Sequence, residues 1–206
     1  MAPNLVHSPR DGTVSATQNR PGRLREFDEV TLPAGQRVEA RRVRIGDIPL
    51  LLGQGEAGMG VALAPAITVA RIARAHPDSL WGFWRHGRFV GGFAFLMLNR
   101  HGVEALIGDA LDLGDPPMSV LAAPGDRPAG IYVWALLRSS AVAAEGIARV
   151  IVRLQQFPYE RSDLFALPAT ADGLRFMRGL GFRPVPGHPR SLHHYLRFAN
   201  RPEPVR

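Results

Sequence analysis

Residues 131–137, Ile-Tyr-Val-Trp-Ala-Leu-Leu, constrain the fold of this chain more than any other stretch. The run is β-prone and apolar on both faces, as expected at the centre of a sheet rather than at an edge. Residues 142–157 then carry helical periodicity. Ala143, Ile147, Val150, Ile151 and Leu154 share one face, Arg149 and Arg153 the other, and Pro158 closes the helix. Upstream, 80–84 and 89–98 read as strands joined at Arg85-His86-Gly87-Arg88, with glycine at the demanding turn position. A central strand with neighbours of both kinds is in place before anything else is considered.

The remaining elements follow from the same signals. A strand is expected from Arg37 to Ile45, a weak helix from Asp47 to about Gly60, and a clearer helix over 65–75. After a turn at Asn99-Arg100-His101-Gly102, a short strand is expected over 103–107. An irregular loop rich in Asp, Pro and Gly then spans 109–130. Residues 163–167 read as a strand and 171–181 as a helix N-capped by Thr170. Two last strands fall at 182–185 and 192–198. Residues 1–35 lack periodicity and read as a disordered lead-in, 36–200 as one domain, and 201–206 as a tail. The layout is α+β, or mixed α/β.

Composition removes whole classes of chemistry. With 206 residues and no cysteine, the chain has neither disulfides nor thiolate sites. All 25 basic residues are arginine, which excludes a Walker A lysine and a Schiff-base lysine. The net charge of +7 is concentrated beyond residue 174, where seven arginines face one acid, Glu203. Such a patch suits phosphate on a cofactor or nucleic acid, or is a solvated tail. No apolar run reaches membrane-spanning length and the N-terminus lacks a signal-peptide core, so a cytoplasmic protein without a membrane partner is expected. Gly53-Gln54-Gly55-Glu56-Ala57-Gly58 spells a dinucleotide fingerprint in the wrong context, because no strand leads into it. His193 and His194, adjacent on a strand, point to opposite faces, and no metal site is expected.

The segment Ala171-Asp172-Gly173-Leu174-Arg175-Phe176-Met177-Arg178-Gly179-Leu180-Gly181-Phe182 resembles the "A…G…F…LGF" helix of GNAT-family N-acyltransferases. The order of elements from about Arg37 to Phe198 resembles that family as well. The resemblance implies a mostly antiparallel, twisted central sheet flanked by helices, and an acyl-CoA co-substrate, acetyl-CoA first. It implies that Trp134, Ala135, Leu136 and Leu137 pair with the pantetheine arm, with Thr170 and Met177 beside it. The family's pyrophosphate signature, Q/R-x-x-G-x-G/A, falls on Ala143 to Ala148. Gly146 and Ala148 match around Ile147, Ala143 replaces the usual Gln or Arg, and Ser140 adds a phosphate contact. Glu145 suits an anion site only if it points away.

Where the family usually places a tyrosine able to protonate the leaving thiolate, this chain has Met177. Transfer without that acid, an acid from another element and a catalytically silent binding module all stay open. As a general base Glu104 is preferred, because it is expected within a strand beside the centre. The expected acceptor is a small-molecule or peptide amine. Aminoacyl-tRNA, suggested by the basic C-terminus, stands behind it.

Overall fold

The computed structural model describes residues 38–59, 63–138 and 142–197. The expected lead-in over 1–35, Ser140 and the tail over 201–206 lie outside the described residues.

Seven strands among the described residues form one sheet: β1 (Glu39–Arg42), β2 (Leu80–Arg85), β3 (Arg88–Leu98), β4 (Gly130–Arg138), β5 (Asp163–Ala166), β6 (Arg183–Pro184) and β7 (His193–Tyr195). Their order is β1-β2-β3-β4-β5-β7-β6. Only β4 and β5 run parallel; the other neighbours are antiparallel. The expected mixed, mostly antiparallel architecture is what forms, with residues 131–137 inside its central strand. Ile131 and Tyr132 are both buried, one on each face.

Helices cover both faces. On one, α4 (Ala143–Leu154) and α5 (Ala171–Gly179) pack with Phe83, Phe93, Phe95, Met97 and Ile131. α4 lies in the connection between the parallel strands β4 and β5, where a crossover is obligatory. Its Ile147, Val150 and Leu154 reach the core, as their spacing predicts. On the other face lie α1 (Ile48–Met59), α2 (Ala66–Ala75) and α3 (Arg100–Ile107), over Leu80, Ala94, Leu96 and Leu98. No described helix is long and apolar enough to cross a membrane.

The strand expected over 103–107 does not exist. Residues 100–107 are α3, and the reason is local. The Asn99 side chain accepts from Gly102 N at 2.8 Å as an N-cap, and Arg100 pairs with Glu104 four residues on. Leu106 then falls on the buried side. The edge of β3 that a strand would need is already taken. Leu121 bridges to Leu98, and Ala122 N donates to Met97 O at 2.8 Å. Asn99 also holds this loop, donating to the carbonyls of Ser119 (2.8 Å) and Leu121 (3.0 Å). The last two strands are shorter than expected, 183–184 and 193–195.

Candidate functional site

The site begins where two strands part. β4 pairs with β5 only from Gly130–Asp163 to Val133–Ala166, yet β4 runs on to Arg138. A bulge sits at the parting point. Ala94 pairs with Ala135 and Phe95 with Val133, so Trp134 is an extra residue in β4. Consecutive residues Trp134 and Ala135 therefore both face the α1/α2 side, whereas Val133 and Leu136 face α4. A bulge bends and twists its strand, which turns the end of β4 away from β5. The result is an opening beside residues 134–138, where no strand among the described residues pairs on the β5 side.

The walls of this opening are held in place. The Trp134 indole N–H donates to Leu113 O at 2.8 Å, fixing the ring against the 109–121 loop. That loop is tied to α2 through Asp115, which accepts from Thr68 Oγ1 (2.7 Å) and Arg71 (2.6 Å). On the opposite face Thr170 Oγ1 accepts from Gly173 N at 3.0 Å, capping α5 as expected. α5 closes through Gly181, in the left-handed region at φ 93°, and Phe182 N donates to Met177 O. Met177 is buried in the cluster that holds Ala166, Phe182 and Tyr195. It offers that position no proton.

The start of α4 carries a different message from its motif. Val142 makes no side-chain cap, and Glu145 N turns back to donate to Val142 O at 3.3 Å. Glu145 points away from that end. It accepts from Val38 N at 3.0 Å and from Arg149 at 2.9 Å. Gly146 faces the sheet. A Cβ there would stand 2.5 Å from the Phe83 ring, so its glycine serves helix-on-strand packing rather than access for a ligand. Ala143 is wholly buried with Gly91 close by, leaving no room for the Gln or Arg of the family signature. Ile147 is a core residue too.

Glu104 loses the ground on which it was preferred. It lies on α3, exposed and paired with Arg100. The adjoining Val103 packs on Gly130, at the opposite end of β4 from the opening. The seven residue steps from Gly130 to Leu137 span about 23 Å. His188 and His194 are likewise held by the fold. His188 Nε2 sits 3.1 Å from Leu106 O, while its Nδ1 accepts from Arg190 N and Leu192 N. The His194 ring packs near Phe165. Burial lowers the pKa of His194, which keeps it neutral at pH 7.

One feature had no sequence signal. On the α1/α2 side the opening borders an apolar pocket of about 50 Å³, lined by Leu51, Leu52, Leu63, Phe93, Trp134, Ala135 and Leu137 among others. Among the described residues, no ionisable side chain lines it. The stretch 53–58, which spells the dinucleotide fingerprint, is part of α1, and its Gly55 lies against Leu63.

No protein-family model matches the chain, and no curated protein matches it in sequence. Solved structures do match in fold. The loading GNATL domain of CurA from Lyngbya majuscula is 11% identical, with a TM-score of 0.53 over 79% of this chain and 98% of that one. The GphF GNAT-like decarboxylase in complex with isobutyryl-CoA is 20% identical, with a TM-score of 0.49 over 69% and 71% of the two chains. Diaminobutyrate acetyltransferase EctA from Paenibacillus lautus, in complex with L-2,4-diaminobutyric acid and coenzyme A, is 14% identical. Its TM-score is 0.49 over 73% and 81%. The chain has the GNAT fold.

Proposed function

We propose that this chain binds an acyl-CoA in the opening between β4 and β5 and passes the acyl group to an amine. One observation carries the reading. β4 outruns its parallel partner at a bulge, and the uncapped start of α4 follows the same end of β4. The free edge over Trp134, Ala135, Leu136 and Leu137 suits the amides of a pantetheine arm, and the first turn of α4 suits pyrophosphate. The thioester supplies the activated acyl group. The chain contributes position and strand amides to polarise the carbonyl, effects that need no ionisable side chain. The neighbouring folds include proteins solved with isobutyryl-CoA and with coenzyme A, which is consistent with this reading.

A second reading, CoA binding without transfer, is favoured by Met177 and by a pocket without an ionisable lining. Two measurements separate them. Native mass spectrometry and calorimetry should detect CoA bound to the purified chain. No binding at millimolar CoA would overturn both readings. Release of free thiol from acetyl-CoA that depends on an added amine would support transfer, and its absence across a broad amine panel would leave only the binding module.

A further inference from the structure

The apolar pocket is the largest part of the site that acyl transfer to an amine leaves unexplained. We infer that it receives the acyl chain itself, and that the chain is selective for short apolar acyl groups larger than acetyl. The inference rests on CoA occupying the β4–β5 opening.

Three observations converge on it. First, place: the bulge turns both Trp134 and Ala135 into this pocket, so the strand edge offered to the pantetheine arm and the pocket wall are the same residues. A group attached at the end of that arm has the pocket beside it. Second, chemistry: Leu51, Leu52, Leu63 and Leu137 bring hydrocarbon, and no carboxylate or histidine is among the described lining residues. A charged amine would lose its hydration there with nothing to replace it. An acyl chain gives up no hydrogen bonds to water, and removing its surface from water favours burial. Third, size and rigidity: about 50 Å³ holds roughly four water-sized groups. The indole of Trp134 is held by its hydrogen bond to Leu113 O at 2.8 Å. A two-carbon group would leave most of that volume empty.

Calorimetric titration of the full chain with CoA, acetyl-CoA, butyryl-CoA, isovaleryl-CoA and decanoyl-CoA tests this. Each buried methylene should tighten binding by about fourfold. Butyryl-CoA should therefore bind on the order of tenfold tighter than acetyl-CoA, with a more negative heat-capacity change. Decanoyl-CoA should fall back to the affinity of CoA or below. Leu63→Trp, which fills the pocket from its rim, should return butyryl-CoA to the affinity of acetyl-CoA. Leu51→Ala, which widens it, should shift the optimum to a longer chain. Equal affinities for CoA, acetyl-CoA and butyryl-CoA would overturn the acyl-pocket inference while leaving CoA binding intact. Failure of every thioester and of CoA would instead remove the function on which it rests.

Discussion

Two residues show how a position can be occupied for reasons of the fold alone. Gly146 stands where a phosphate-binding glycine is expected, but the atom it makes way for is carbon, in the Phe83 ring. Gly146→Ala should destabilise the domain by about 1–3 kcal/mol, because a Cβ at that spacing forces the ring or the helix to shift. Phe83→Leu in the same chain should recover part of the loss in urea titrations. If Gly146→Ala is neutral, Phe83 is freer to move than its burial implies. Asp78 is the other case. Nearly all of it is buried, and its carboxylate accepts from Arg42 (2.7 Å), Arg153 (2.9 Å) and Tyr159 Oη (2.9 Å), joining β1, α4 and the segment after it. Asp78→Asn keeps the shape but removes the charge, and should cost about 2 kcal/mol. Arg42 is half exposed and can recover water, so the loss should stay below that of a fully buried pair.

At the scale of elements, the junction of β3, α3 and the 109–121 loop hangs on Asn99. One amide side chain caps the helix and holds two loop carbonyls. Asn99→Ala should cost about 2 kcal/mol, a cap of about 1 and loop bonds of similar net worth. Hydrogen exchange should quicken over 100–107 and 118–122 together. Faster exchange in α3 alone would mean that the loop is held by Asp115 and Trp134 without Asn99. The pairing of Asn99 with a following Val103/Leu106 spacing was a helix signal in the sequence. Alternation in the preceding strand masked it, and a glycine at 102 looked like a turn. The bulge at Trp134 is of another kind. Nothing in Ile-Tyr-Val-Trp-Ala-Leu-Leu marks it, since every residue there is equally suited to either face.

Across the whole molecule, buried titratable groups set limits on both sides of neutrality. Burial lowers the pKa of His76, partly offset by its hydrogen bond to Ala122, and lowers that of His194 as well. The unfolded chain then binds protons below the ordinary value of 6.5 that the native state does not. Stability should therefore fall as pH drops through 6.5 towards the folded-state values. Burial raises Tyr132 and Tyr159 to about 12, so between 10 and 12 the native state keeps protons the unfolded chain has lost. Stability should fall again as pH rises across that window. Thermal midpoints from pH 5 to 11 check both arms. His76→Gln should flatten the acid arm, and Tyr159→Phe part of the alkaline one. An acid arm unchanged by His76→Gln would assign it to His194. The central strand, the helices that carry an apolar stripe and the left-handed Gly181 were legible along the chain, because each is decided by a residue and its near neighbours. The opening, the walls of the pocket and the true duties of Gly146 and Ala143 were not. They depend on which strand edge is already occupied and on what stands across the core, and only the folded chain brings Phe83, Leu51 and Leu113 to those places.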